Sequence, residues 1–359
     1  MIIIKLAHTK PDEKTVDKYP PDGDKQKISI LASLKKVEIS MFSKLGKYLF
    51  LFAATFAATT LYGQQAPLFT QYTKAYMFIN PGYAGMGEGI CINGLARQQW
   101  AGFKDAEGNK IAPQDFLIDI DAPIKAIQGG VGGSVIQDKL GFETNVGIRL
   151  SYSYHLQLGA GTLGMGVGIN LVNRSIDFAK FHPLQPNDPA LLSARQGAVM
   201  FDGSIGFFFR SNSNYYIGLS VTNVLESKGK NLSTSGTTIR YQTDRTFYLT
   251  GGYSFILPNH PRFKILPSFL IQSDIASTQY NISAIVNYNS KFWGGVNYRY
   301  QESVGFMVGV RFDGFNVGYS YDLPTLSIGI PGSHEITLSY CFKLKVNKNK
   351  TSYKNTRYL

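Results

Sequence analysis

Between Asn145 and Leu158 apolar and polar residues alternate without a break. Val146, Ile148, Leu150, Tyr152, Tyr154, Leu156 and Leu158 fall on one face; Gly147, Arg149, Ser151, Ser153, His155 and Gln157 fall on the other. A period of two is the signature of a strand, because successive side chains leave opposite faces of a pleated backbone. The run is longer than a typical soluble strand. It fits a tilted membrane-crossing strand, which takes about 9–11 residues plus its ends. The same alternation recurs at Leu163–Leu171, Tyr215–Val221, Tyr280–Tyr288, Val304–Phe312 and Phe315–Tyr321. Composition agrees. Glycine (37), Tyr (22) and Phe (24) are abundant, and only 17% of residues are charged. Many strands placed between two media need that mixture, whereas a helical enzyme does not.

Fourteen candidate strands emerge, at 90–101, 114–121, 129–137, 144–156, 161–173, 200–210, 214–222, 245–255, 263–272, 279–288, 292–300, 303–312, 315–323 and 335–344. The expected fold is all-β: a transmembrane antiparallel β-barrel of about 14 strands over residues 89–344. An even count brings both ends of the barrel to the periplasmic side. With that orientation the long connections, 102–113, 174–199, 223–244 and 324–334, are extracellular. The alternate connections are short periplasmic turns. The closing strand, Glu335 to Phe342, puts Ile336, Leu338, Tyr340 and Phe342 on one face, and its aromatics suit an interfacial girdle. It resembles the C-terminal signal of assembled outer-membrane barrels, although a basic tail follows it.

Upstream, Lys44 and Lys47 precede an apolar stretch, Tyr48–Thr60, that reads as an export signal over 41–63, with cleavage after Gly63. Residues 1–40 then read as a non-native extension from a start assigned too early. Residues 64–88 form a periplasmic or plug segment, and 345–359 a basic tail. The expected location is the outer membrane. Lys plus Arg exceed Asp plus Glu by 36 to 24. Export makes nucleic acid an unsuitable partner for that surplus, part of which lies in the tail.

No residue set demands catalysis, a cofactor or a metal. Gly159, Gly161 and Gly164 match a dinucleotide fingerprint, but they lead into a period-two strand instead of a helix, so small lumen-facing residues explain them better. His155, His182, His260 and His334 form no H-x-x-x-H pair. Ser151 and Ser153 share a face with His155, as any polar lumen allows, and the chain is read as no enzyme. Arg97, Arg149, Arg299, Arg311, Asp119, Asp202 and Asp322 project inward by the alternation. Two readings stand for them: a salt-bridged lumen that stiffens the barrel, and a filter for a small solute. Cys91 lies near the periplasmic start of the first strand and Cys341 near the periplasmic end of the last. These strands must pair to close the barrel. A seam disulfide and two free thiols are both open, and the bond requires correct register and a Cα separation under about 7 Å.

The mature N-terminal region reads Phe69-Thr70-Gln71-Tyr72, then Phe78-Ile79-Asn80-Pro81-Gly82-Tyr83-Ala84-Gly85. Arg97-Gln98-Gln99-Trp100-Ala101-Gly102, Asp138-Lys139-Leu140-Gly141, Asp188-Pro189 and His334-Glu335-Ile336 follow. This ordered set, over residues 65–344, resembles the PorP/SprF family, membrane proteins of the type IX secretion system of Bacteroidetes. The resemblance implies an outer-membrane barrel that assists export or surface attachment of cargo proteins, such as adhesins in gliding motility, by protein–protein binding. It implies no catalytic residues. The implied partners are type IX secretion components, an exported cargo protein and outer-membrane lipid, with a periplasmic peptidoglycan-associated partner as a further candidate. Residues 174–199 and 223–244 are the candidate cargo-contacting loops, since long outer loops are where binding concentrates. The alternative function is a solute transporter or porin-like channel.

Overall fold

The computed structural model describes residues 66–87, 89–105, 108–180, 195–229, 232–234, 237–239, 241–325 and 331–343. The extension, the export signal, the basic tail, His182 and Asp188-Pro189 lie outside them.

In chain order the strands are β1 (Gly89–Gln98), β2 (Gln114–Ile124), β3 (Gly129–Leu140), β4 (Glu143–Leu158), β5 (Gly161–Asp177), β6 (Arg195–Ser211) and β7 (Tyr215–Thr222). A small hairpin follows, β8 (Leu232–Thr234) with β9 (Thr237–Ile239). Next come β10 (Thr246–Tyr253), β11 (Phe255–Leu257), β12 (His260–Ser273), β13 (Thr278–Tyr288), β14 (Phe292–Arg299), β15 (Ser303–Phe312), β16 (Phe315–Pro324) and β17 (Ser333–Lys343). β10 and β11 are two halves of one stave, split at Ser254. With the hairpin set apart, fourteen staves remain. Each pairs antiparallel with its neighbours, β1 pairs with β17, and β10 pairs with both β7 and β12, so the sheet is a closed ring.

The wall has two unlike faces because the side chains alternate. Outward positions carry a belt of exposed apolar residues, including Leu150, Val199, Phe201, Ile282 and Val308; Leu150 is 62% exposed. An apolar belt of this extent is unfavourable against water and suits lipid. Aromatics mark the short-turn rim, where Phe315 lies 5.6 Å from Phe312 and 4.3 Å from Tyr340, and Phe263 lies 4.9 Å from Tyr288. No helix among the described residues is long and apolar enough to cross a membrane.

Several strand ends differ from the expected bounds, and two of the long connections are corrected. β5 runs on to Asp177 and β6 starts at Arg195, so their connection is 178–194 and not 174–199. Their register stays unbroken to Asp177 opposite Arg195. The connection 223–245 is also not free coil, because it contains the β8–β9 hairpin.

Candidate functional site: a plugged lumen

Residues 66–87 lie inside the ring. They start in its long-loop half, where Gln272 donates through Nε2 to the Ala66 carbonyl (3.0 Å). A 3-10 turn (Tyr72–Lys74), a one-turn α-helix (Tyr76–Ile79) and a second 3-10 turn (Pro81–Tyr83) carry them down to the short-turn rim and into β1. Such short elements have little stability alone. Three kinds of contact with the wall hold them.

The first is an ionic clamp. Arg97 on β1 reaches Asp322 on β16 (2.8 Å) and Glu335 on β17 (3.1 Å), with all three side chains buried. The Arg97 guanidinium also donates to the Thr70 hydroxyl (3.0 Å), which itself donates to Asp322 (2.6 Å). Glu335 accepts the backbone N–H groups of Thr70 (2.9 Å) and Gln71 (2.8 Å), one on each oxygen. Thr337 donates to the Gln71 side-chain oxygen (2.7 Å). Arg97 and Glu335 are register partners across the β1–β17 seam. The pairing that closes the barrel therefore also assembles the clamp. Buried charges are tolerated only when paired and hydrogen-bonded, and these are.

The second contact is backbone laid on glycine. A Cβ added to Gly164 would sit 2.2 Å from the Gly82 carbonyl oxygen, one on Gly166 2.2 Å from the Pro81 carbonyl carbon, and one on Gly206 2.2 Å from Asn80 Oδ1. No side chain fits at those distances. Gly85 takes a positive φ of 68°, and a Cβ there would lie 2.5 Å from the Gly130 Cα. Side chains seal the contact. Asn80 donates to the Phe207 carbonyl (3.0 Å) and accepts from Gly82 N–H (2.8 Å). Ser153 donates to the Gly82 carbonyl (3.0 Å), and His155 Nε2 lies 2.9 Å from the Ala84 carbonyl.

The third is an apolar core shared by plug and wall. Phe69, Tyr72, Tyr76, Phe78, Ile79 and Met86 pack with the inward-facing Leu95, Leu117, Ile136, Phe208 and Leu270. Beneath the plug these apolar positions stand among polar ones such as Arg97, Arg149, Ser153 and Glu335 that bond to it.

The inward charges serve the plug and the loops more than one another. Arg149 donates to the Phe78 carbonyl and stacks 4.0 Å over the Phe78 ring. Arg299, 1% exposed, pairs with Glu302. Asp119 is fully buried beside Ser134, its cross-strand partner. Asp202 accepts the N–H groups of Leu225 (2.8 Å) and Ser227 (3.0 Å) and the Thr243 hydroxyl (2.6 Å), which fixes the base of the 223–245 connection. Arg311 keeps the inward register but is exposed near the end of β15. Of the seven charges, only Arg97 and Asp322 form an ion pair with each other. The inner face thus carries the clamp together with the Arg299–Glu302 pair and the Arg174–Glu143 pair at inward register positions.

Cys91 and Cys341 are direct register partners, with Cα atoms 4.1 Å apart, and the sulfurs are bonded. Ser153 and His155 each engage a plug carbonyl, so neither is poised for nucleophilic chemistry. His260 and His334 sit beside aromatic rings, those of Phe263 and Tyr319. The descent of residues 66–87 through the lumen is the feature that the sequence reading left open. The sequence signal that touched on it was the family resemblance carried by Phe69–Tyr72 and Phe78–Gly85.

The profile of the family described as "Type IX secretion system membrane protein PorP/SprF" matches residues 61–340. No curated protein matches the chain. Several solved structures are similar in fold. The toluene transporter TbuX of Ralstonia pickettii aligns with a TM-score of 0.47 at 14% identity, over 75% of this chain and 94% of that one. The outer membrane protein Omp33 of Acinetobacter baumannii aligns with a TM-score of 0.41 at 7% identity, over 71% and 98%. The toluene transporter TodX of Pseudomonas putida aligns with a TM-score of 0.43 at 12% identity, over 80% and 95%. All three TM-scores lie below 0.5, and none of these likenesses bears on what this chain does. The family profile covers most of the chain and every part of the clamp and the plug: this outer-membrane barrel belongs to the PorP/SprF family of type IX secretion system membrane proteins.

Proposed function

We propose that this barrel is a closed scaffold that binds an exported cargo protein at its extracellular face, in the service of type IX secretion. The filled lumen carries this reading. Residues 66–87 are fastened at one end by the Arg97–Asp322–Glu335 clamp and at the other by backbone contact with Gly164, Gly166 and Gly206. A segment held in this way favours protein binding over passage of a solute. Function then falls to the outer loops. The described part of the 223–245 connection is braced by Asp202 and carries the β8–β9 pairing, which supports a partner's binding there.

The test is site-specific photocrosslinking in cells from positions 228, 242 and 245, with positions 213 and 290 in the short turns as controls. The expected product is an adduct of the loop positions with a surface protein carrying a type IX C-terminal domain. Adducts from the turn positions alone, or none from any position, would contradict the proposal.

A further inference from the structure

We infer that the outward-facing extracellular rim of β3–β6 is a binding site for the phosphorylated headgroup of an outer-leaflet lipid. A cavity of about 310 Å³ lies there, lined by Gln137, Lys139, Thr144, Asp177, Lys180 and Arg195 together with the Gly141–Phe142 turn. Three cations face one carboxylate. Asp177 is partly neutralised by Lys180 at 3.6 Å, so the surplus is positive.

The height of the cavity on the wall identifies its ligand. Val135, Ile148, Leu171 and Phe201 are register partners on four successive strands, all outward and all exposed. The next outward row is Gln137, Val146, Asn173 and Val199, and the one above it is Lys139, Thr144, Ser175 and Gly197. The surface therefore turns from fully apolar to polar and charged within four residues. At about 3.3 Å per residue that is roughly 13 Å along the strand, less in height because the strands tilt. The headgroup zone is roughly 5–8 Å thick on each side of the hydrocarbon core, so the charged row, two residues above the half-apolar row of Val146 and Val199, stands at its level. A lipid whose chains lie on the apolar rows would present its phosphate to the three cations, and Arg195 offers a planar fork suited to it.

The rim is built, not a chance meeting of loose loops. The Asp177 N–H donates to the Phe142 carbonyl (3.1 Å), tying the β3–β4 turn to the end of β5. Arg195 donates to Ser175 (2.9 Å). Corresponding outward pairs elsewhere on the same rim are neutral: Gln98 with Gln114, and Ser273 with Thr278. Charge on a lipid-facing wall is costly without an anionic partner, and the extension of β5 and β6 past the apolar belt places these charges where one is available.

The test uses the full mature barrel in nanodiscs containing lipid A with two phosphates, lipid A with none, or neither. Retained lipid is read by native mass spectrometry. The wild type is expected to retain the bisphosphorylated lipid, and the triple variant K139Q/K180Q/R195Q to retain at least about tenfold less, given the usual contribution of each cation near an anionic surface. The single variant Arg195→Gln should fall in between. The neutral-rim variant Q98A/Q114A should match the wild type. Heat-modifiable migration on gels confirms that each variant is folded. Equal retention by wild type and triple variant would overturn the proposal. So would equal retention of phosphate-free lipid A, which would leave only apolar contact, or displacement by equimolar inorganic phosphate, which would make this a site for a free anion.

Discussion

Glu335→Gln should unfasten the plug while leaving the wall intact. The substitution keeps the shape of the side chain and removes its charge. One oxygen becomes an amide NH2, so either Thr70 N–H or Gln71 N–H loses its acceptor and faces a donor. Arg97 keeps Asp322 at 2.8 Å but loses its second carboxylate. A hydrogen bond to a charged group contributes about 1.5–3 kcal/mol, and breaking a buried ion pair costs about 3–5 kcal/mol. Because Asp322 remains, the cost falls at the lower end, about 3 kcal/mol. That corresponds to a roughly 100-fold larger population of released plug. Lys74 lies within the plug and gives trypsin a cleavage site there. Where opening and reclosing outpace cleavage, the rate follows the open population. Cleavage after Lys74 in the detergent-solubilised barrel should therefore rise about 100-fold, with heat-modifiable migration unchanged. A rate within twofold of wild type would refute the claim that the clamp holds the plug.

Gly164→Ala places a methyl 2.2 Å from the Gly82 carbonyl and should displace the plug, raising Lys74 cleavage, whereas Gly159→Ala has no atom within 4 Å and should be silent. Non-reducing peptide mapping should recover the segments around Cys91 and Cys341 as one cross-linked species, and alkylation of both residues without a reductant would contradict the bonded seam. Asp202→Ala removes the acceptor for Leu225, Ser227 and Thr243, so amide exchange at Leu225 and Ser227 should quicken at least about tenfold while the strands keep their protection. Unchanged exchange at those two amides would show that the loop base is held by something else.

The strands were legible in the sequence because lipid outside and protein inside impose a strict alternation on each residue pair. The alternation misjudged β5 and β6 for a physical reason. Above the apolar belt the outward positions become Asn173, Ser175, Gly197 and Arg195, so the pattern fades although the backbone ladder continues to Asp177. Six of the seven inward charges are buried, as alternation places them, while Arg311 is exposed. Their partners were not legible. Arg149 and Asp202 bind backbone groups far away in the chain, and no local pattern encodes such a partner. The plug was hardest to read for the same reason. Its turns have no periodicity, and its path is set by where Gly164, Gly166 and Gly206 leave room. Its best evidence in the sequence was the family resemblance, whose separate motifs meet in the structure: Thr70 and Gln71, Arg97, and Glu335 form one clamp.

The central claim is that the lumen is closed by the chain itself. Single-channel recording of the purified barrel in planar bilayers tests it most directly. The wild type should show no steady conductance, and Glu335→Gln should show frequent openings. A steady open pore in the wild type, unaltered by Glu335→Gln, would contradict it.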